Sequence, residues 1–264
     1  MTTPQTTTAD RSVVDRALNV LGAFDRQNRS LTLSDISRRS GLPLATAHRI
    51  VNRLHSWGAL ERSDEGNYSI GLRLWETGTL APRCSPLAEA AQAHLMELHA
   101  RTSARALLLI RDGLDGLCLA FAASGTSAAM CWVESGDRRP LHACAAGLVL
   151  LAHADDDIQN EVCSGPLRAY TSATPAHGAA LRPVLAKIRR DGYAVTRRTF
   201  EPDCGTIAFP VRGASGTVVA AIGAMTQANS FQPLRLAPLV SAAAEAVSQQ
   251  AQAFEWRTGR PRAW

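Results

Sequence analysis

The 264-residue chain has almost no lysine: of its 28 basic side chains, Lys187 alone is not arginine. Codon bias in a GC-rich genome explains that skew more simply than function does. Aromatic residues are also scarce, with 6 Phe, 5 Trp and 3 Tyr, so much of any core must be Leu, Val and Ala. No uninterrupted apolar run approaches the ~20 residues of a membrane-spanning helix. The opening segment, Met1 to Asp10, is polar and Thr-rich and lacks the apolar stretch of a signal peptide. The cysteines at 84, 118, 131, 144, 163 and 204 form no C-x-x-C pair, and the histidines form no H-x-x-x-H. That pattern speaks against a zinc site or a disulfide scaffold and fits a reducing cytoplasm. Without a G-x-G-x-x-G, a phosphate-binding loop or an internal repeat, no cofactor and no solenoid is expected.

What remains is an ordinary foldable chain, 46% apolar and 19% charged, long enough for one large domain or two modest ones. Its net charge of +5 is mild and splits almost evenly, since residues 1–80 hold ten arginines against eight acids. The local arrangement is more informative. From Ile36 to Leu60 there is no acid, while Arg38, Arg39, Arg49, Arg53, His48 and His55 all fall inside. Such a stretch suits a phosphate backbone, although a solvated helix face would read the same way.

The order of elements separates those alternatives. Apolar residues at 13, 14, 17, 18, 20, 21 and 24 predict an amphipathic helix over Arg11–Phe24, capped by Asp10 or Ser12. A short helix follows, with Ser34 expected as its N-cap and Gly41 ending it. After Gly41-Leu42-Pro43 a second helix is predicted over Leu44–Trp57, with Ile50, Val51, Leu54 and Trp57 on one face. Two short helices around a glycine turn form a helix-turn-helix, whose second helix enters the major groove. Its outward residues would be Thr46, His48, Arg49, Asn52 and Arg53. Around the turn Asp64–Asn67, two β-capable segments make a hairpin, or wing, that places Arg62 beside phosphates. Arg38 and Arg39 are expected to grip phosphates at the other end. Leu72–Thr79 extends as a linker helix. Beyond it, helices near 87–100, 144–152, 183–191 and 234–256 alternate with strands near 105–111, 117–123, 127–134, 193–199, 204–211 and 217–226. Mixed helices and hairpin-joined strands predict an α+β domain with an antiparallel sheet.

In order and spacing, these segments resemble the IclR family of bacterial transcription regulators over nearly the whole chain. The resemblance rests on SVVDRALNVLGAF, LTLSDISRRSGLPLATAHRIVNRLHSWGALER and GNYSIGLRLWETG, then RRPLHACAAGLVLLA, GYAV and IAFPVRGASGTVVAAI. It implies a winged helix-turn-helix domain over residues 10–72, a linker helix over 73–84 and a GAF-like effector-binding domain over 85–258. Residues 1–9 and 259–264 would be tails. It further implies a non-enzymatic regulator, a homodimer or homotetramer, acting on palindromic double-stranded operator DNA under the control of a small effector. Family effectors are mostly small carboxylates. The positions matching the family's pocket are Ala128, Cys131, Cys144, Ala145, Ala146, Thr196 and Thr206. The chain departs from the family at several of them. Cys144 stands where Thr or Ser is usual, Leu148 where Lys is common, Thr196 where an acid is frequent, and Thr206 where several members have Cys.

Two readings of the residues bear on that pocket. Open N–H groups at Ala145–Gly147, where a helix begins, favour an anion. If Thr196 points inward along its strand, alternation brings Arg198 inward as well, where it would pair with a carboxylate. Trp132 is a candidate ring to stack on a ligand, or else a core residue. Two alternatives stay open: a thiol-based redox sensor using Cys144 or Cys204, and a Cys-dependent enzyme using Cys144 with His142.

Overall fold

The computed structural model describes residues 12–80, 85–124 and 133–252. It divides into two compact units, Met1–Ala81 and Pro82–Trp264.

The first unit opens with α1 (Val13–Leu21), started by a capping box in which Ser12 and Asp15 satisfy each other's backbone N–H groups. A two-residue strand, β1 (Ser30–Leu31), leads into α2 (Leu33–Ser40). The N-cap of α2 is Thr32, not Ser34: the Thr32 hydroxyl accepts the Asp35 N–H at 3.1 Å. Gly41 ends α2 in the left-handed region, at φ 69°, which a glycine adopts without steric cost. Then come α3 (Leu44–Trp57), the hairpin β2 (Leu60–Arg62) and β3 (Tyr68–Ile70), and α4 (Leu72–Thr79). β1 joins the hairpin, giving an antiparallel sheet in the order β1-β3-β2. Val20 of α1, Ile36 of α2, Ile50 and Val51 of α3, and Leu60 and Tyr68 of the wing close on one another as the core. Each such side chain contributes ~1.5–3 kcal/mol on burial, enough to fix α2 against α3.

The second unit is a six-stranded antiparallel sheet covered by helices on both faces. Its elements are α5 (Ser85–Thr102), β4 (Arg105–Asp112), β5 (Asp115–Ala122), β6 (Arg138–Pro140), α6 (Ala145–Ala152), α7 (Asp156–Ser164), α8 (Gly178–Asp191), β7 (Ala194–Arg197), β8 (Cys204–Arg212), β9 (Val218–Gln227) and α9 (Pro233–Ala251). The strand order is β6-β5-β4-β9-β8-β7. Alternation along the strands builds two cores. Ala106, Leu108, Ile207 and Ile222 meet Leu95 of α5 and Val240 of α9. Leu107, Leu109, Ala208 and Ala221 meet α6 and α8 on the other face. Every residue of α6 is buried, as expected of a helix that is apolar all round.

The expected α+β fold is therefore present, with local differences. α7, β1 and β6 are additional elements, and α8 begins at Gly178, five residues before Pro183. The strand expected at 127–134 falls largely outside the described residues.

Candidate DNA-binding surface and effector pocket

In α3 the apolar spacing turns Ala47, Ile50 and Val51 into the core. The opposite face presents His48, Arg49, Asn52 and Arg53 to solvent, with Thr46 half-buried beside them. Asn52 Nδ2 lies 3.1 Å from His48 Nε2, one turn earlier on the same face. Among the described residues Arg49 and Arg53 have no ion-pair partner. On the wing, the Arg62 guanidinium lies 5.6 Å from the Tyr68 ring centre, and His55 Nδ1 bonds to the Leu60 carbonyl at 3.0 Å.

The other two arginines of the acid-free stretch are engaged. Arg38 pairs with Asp35 at 2.7 Å, an exposed contact that salt screens. Arg39 bonds to the Ala23 carbonyl at 2.6 Å and pairs with Asp25, which ties α2 to the loop after α1. Arg39 therefore braces the unit, and the expectation that it grips phosphate is corrected.

In the second unit a small pocket opens between the sheet and α6. Its floor follows from strand register. Thr196 of β7 lies opposite Thr206 of β8, which in turn lies opposite Met225 of β9. Leu107 and Leu109 of β4 and Cys204 of β8 complete the floor, while Cys144 and Ala146 close one side at the start of α6. Arg139 of β6 and the Thr199, Phe200 and Glu201 side chains, between β7 and β8, form the rim.

Of the residues expected here, Cys144, Ala146, Thr196 and Thr206 converge on this pocket. Ala145 is buried next to it without lining it. Ala128, Cys131 and Trp132 lie outside the described residues. Arg198 does not enter. β7 stops at Arg197, and Arg198 takes a positive φ of 60°, which ends the alternation on which the inward reading depended. Its guanidinium instead reaches Asn229 Oδ1 at 2.6 Å on the exposed side. The charged groups that do line the pocket are Arg139 and Glu201, paired at 2.7 Å, with Arg139 also stacked over Phe200 at 4.9 Å. Neither stood out in the sequence. In the pair Arg138-Arg139 only the strand register decides which side chain turns inward.

The comparisons agree with this architecture. Residues 83–250 match the model described as bacterial transcriptional regulator IclR C-terminal, and residues 13–64 match the IclR helix-turn-helix domain. The chain belongs to the IclR family of bacterial transcriptional regulators. It is 32% identical over 226 residues to the HTH-type transcriptional regulator XynR of Escherichia coli K12, covering 85% of this chain and 89% of that protein. It is 29% identical over 240 residues to the Pca regulon regulatory protein of Pseudomonas putida, covering 89% and 82%. A solved IclR homolog from Microbacterium hydrocarbonoxydans, complexed with 4-hydroxybenzoate, superposes with a TM-score of 0.86 at 30% identity. That match covers 92% of this chain and all of the other.

This IclR-type chain is a regulator with an effector-binding domain, not an enzyme. The geometry around its cysteines is in keeping with that. Cys144 is the N-cap of α6, its sulfur accepting the Gly147 N–H at 3.4 Å and donating to the Pro140 carbonyl at 3.4 Å. Burial pushes its thiol pKa up, with Arg139 pulling the other way, so the thiolate is disfavoured. His142 points away to the Arg168 carbonyl at 3.0 Å. Cys204 is disulfide-bonded, whereas Cys144 and Cys163 are free thiols. No described helix is long and apolar enough to cross a membrane.

Proposed function

We propose that this regulator reads a palindromic operator with α3 and the wing, and that a small carboxylate of the aromatic type, held in the pocket, controls it. The observation that carries the ligand class is Arg139. Its side chain is only 8% exposed and lines the pocket together with Leu107, Leu109, Phe200 and Met225, its charge met by Glu201 at 2.7 Å, so a guanidinium lies within reach of an acid held in a largely apolar space. An apolar pocket with a few convergent polar groups suits a small organic acid, and Thr196, Thr199 and Thr206 add hydroxyls for a ring substituent. The 4-hydroxybenzoate held by the Microbacterium homolog supports the same class.

On the DNA side, Arg49 and Asn52 are the side chains suited to base edges. Arg53, Arg62 and Arg38 lie where phosphates would run, with Thr46 and His48 beside them. Binding two half-sites requires two copies of the chain. Val13, Val14 and Leu18 on α1 are 67%, 66% and 55% exposed and Trp75 on α4 is 65% exposed, apolar side chains suited to cover by a second copy. The effector acts only by favouring one setting of the dimer over another.

Selection of binding sites from random duplexes, followed by titration of the winning duplex, tests this reading. Arg49→Ala is expected to cost ~1–3 kcal/mol and to relax preference at one base position. A uniform loss over all duplexes would make Arg49 a phosphate contact. Native mass spectrometry with a panel of aliphatic and aromatic acids then identifies the ligand class, and retention of none of them refutes that part. A second reading, redox control, is favoured by one observation: the disulfide-bonded Cys204 lines the pocket. It requires dithiothreitol to change operator affinity in the native protein and not in Cys204→Ser.

A further inference from the structure

Arg139 and Glu201 are 62 positions apart, yet Arg139 Nη1 donates to Glu201 Oε1 at 2.7 Å on the rim of the pocket. The two partners are not equally fixed. The Arg139 side chain is 8% exposed and sits on the sheet in β6, its guanidinium over the Phe200 ring at 4.9 Å. The Glu201 side chain is 25% exposed and lies on the segment Arg198–Asp203 that joins β7 to β8. A buried guanidinium must keep a counter-charge, because an uncompensated charge at low dielectric is costly. A carboxylate that already reaches solvent can return to water at far smaller cost. Glu201 is therefore the movable member of the pair.

The segment that carries it is held under tension. It begins at Arg198, a non-glycine residue at φ 60°, a conformation that costs an L-residue ~1–2 kcal/mol. Side-chain contacts hold it closed. Thr171 and Thr174 donate to the Arg198 and Thr199 carbonyls, Thr199 donates to the Ala143 carbonyl, and Phe200 packs edge-on against Tyr170 at 4.7 Å. The Arg139–Glu201 pair is the contact in this set that faces the pocket.

Resting on the carboxylate reading above, we propose that Glu201 is a built-in competitor for the effector. Its carboxylate neutralises Arg139 while the pocket is empty. An entering carboxylate takes over the Arg139 guanidinium, Glu201 moves out to solvent, and the Arg198–Asp203 segment is released. Two carboxylates beside one guanidinium would leave a net negative charge in the pocket, so exchange is favoured over sharing. No covalent bond changes, and one carboxylate replaces another beside the Arg139 guanidinium. Weak acids present at low concentration would fail to displace Glu201, which sets a threshold for induction.

Calorimetric titration of the full chain with benzoate and 4-hydroxybenzoate, each against its uncharged amide, tests the exchange. Glu201→Gln is expected to bind the acids about tenfold more tightly than the native protein, as for one charge-assisted hydrogen bond no longer contested, and the amides unchanged. Arg139→Gln is expected to lose the preference for acid over amide. Should Arg139→Gln fold poorly, the double variant with Glu201→Gln, which leaves no unpaired charge, takes its place. Hydrogen exchange reports the segment directly, through the Arg198 N–H bonded to the Cys204 carbonyl at 2.7 Å and the Cys204 N–H bonded to Glu201 at 3.2 Å. Both should exchange faster in ligand-free Glu201→Gln, and in the native protein only once acid is added. Equal acid affinity in native protein and Glu201→Gln, or unchanged exchange at both amides, overturns the competitor role and leaves the effector reading standing. Acid bound by neither protein overturns the carboxylate reading, and the competitor role with it.

Discussion

Gly147 tests whether the pocket depends on the close approach of α6 to the loop before it. A Cβ at this position would lie 2.8 Å from both the Leu141 Cα and the Pro140 carbonyl oxygen, and 2.9 Å from the Leu141 carbonyl oxygen. Gly147→Ala sets two effects against each other. Inside a helix alanine is favoured over glycine by ~1 kcal/mol. Against that, α6 must retreat by about half an ångström to restore ordinary contact, and overpacking of this kind costs ~1–3 kcal/mol. The overlap should win, because the obstructing atoms are backbone and cannot rotate aside. The net loss should be up to ~2 kcal/mol, a fall of up to about thirtyfold in the folding constant. Ligand affinity should fall too, since Cys144 and Ala146 line the pocket from this turn and Arg139 immediately precedes Pro140. Gly78→Ala in α4 is the control. Its added methyl meets nothing within 4 Å, so only the propensity gain remains. Scanning calorimetry of both variants, with titration of whichever acid the native protein binds, decides the matter. A Gly147→Ala protein as stable as native, with unchanged affinity, would refute the claim that this glycine permits the pocket.

Two further outcomes are open to measurement. Thr32→Ala should destabilise the first unit by ~1 kcal/mol through loss of the α2 cap, and Ser34→Ala should change it by less than about half of that. The reverse order, read from thermal melts, would restore Ser34 as the cap. His153 should give the second unit a pH dependence. Burial holds its pKa below the ordinary 6.5, with Arg212 and Arg189 acting in the same direction and its bond to the Val149 carbonyl opposing them. Above 6.5 the ring is neutral in both folded and unfolded chains and contributes no slope. As pH falls below 6.5 the unfolded chain takes up the proton first, so stability declines until the folded ring also titrates. The melting temperature should therefore fall from pH 7.5 to about 5.5 in the native protein, and fall less in His153→Gln; parallel curves would exclude His153 as the cause.

Helix spacing made the DNA-binding unit readable. The stripe of α1, the Gly41 stop and the inward set of Ala47, Ile50 and Val51 follow from a 3.6-residue period and left-handed glycine, both local properties. Cap identity was harder to read, because Thr32 and Ser34 are both able N-caps and the two-residue shift between them depends on which residue meets Asp35. β1 is two residues long and exists only through pairing with β3. The pocket depends still more on distant partners. Thr196, Thr206 and Met225 meet by cross-strand register over 29 positions, and the family resemblance located only part of that set. The Arg198 reading failed for a physical reason. Alternation holds while the backbone stays extended, and a single positive φ ends it.

The scarcity of lysine now bears on structure, whatever its origin. Among the described residues, Arg62, Arg73, Arg139, Arg168 and Arg197 each lie over an aromatic ring, at 4.6 to 5.6 Å from its centre. A planar guanidinium can stack on a ring while its edge donates hydrogen bonds, which a compact ammonium cannot do as well. Arg73 uses both properties, stacking on Trp57 and donating to the Trp57 carbonyl at 3.1 Å. Arg197 does the same with Phe231, donating to the Phe231 carbonyl at 2.9 Å, and Arg139 with Phe200 and Glu201. In a chain short of aromatics, these stacks let few rings anchor many segments. Counting charge along the chain misses this. The acid-free stretch from Ile36 to Leu60 holds four arginines, but Asp35 and Asp25, both outside it, engage Arg38 and Arg39. Arg49 and Arg53 on α3 are the arginines of that stretch with no ion-pair partner among the described residues.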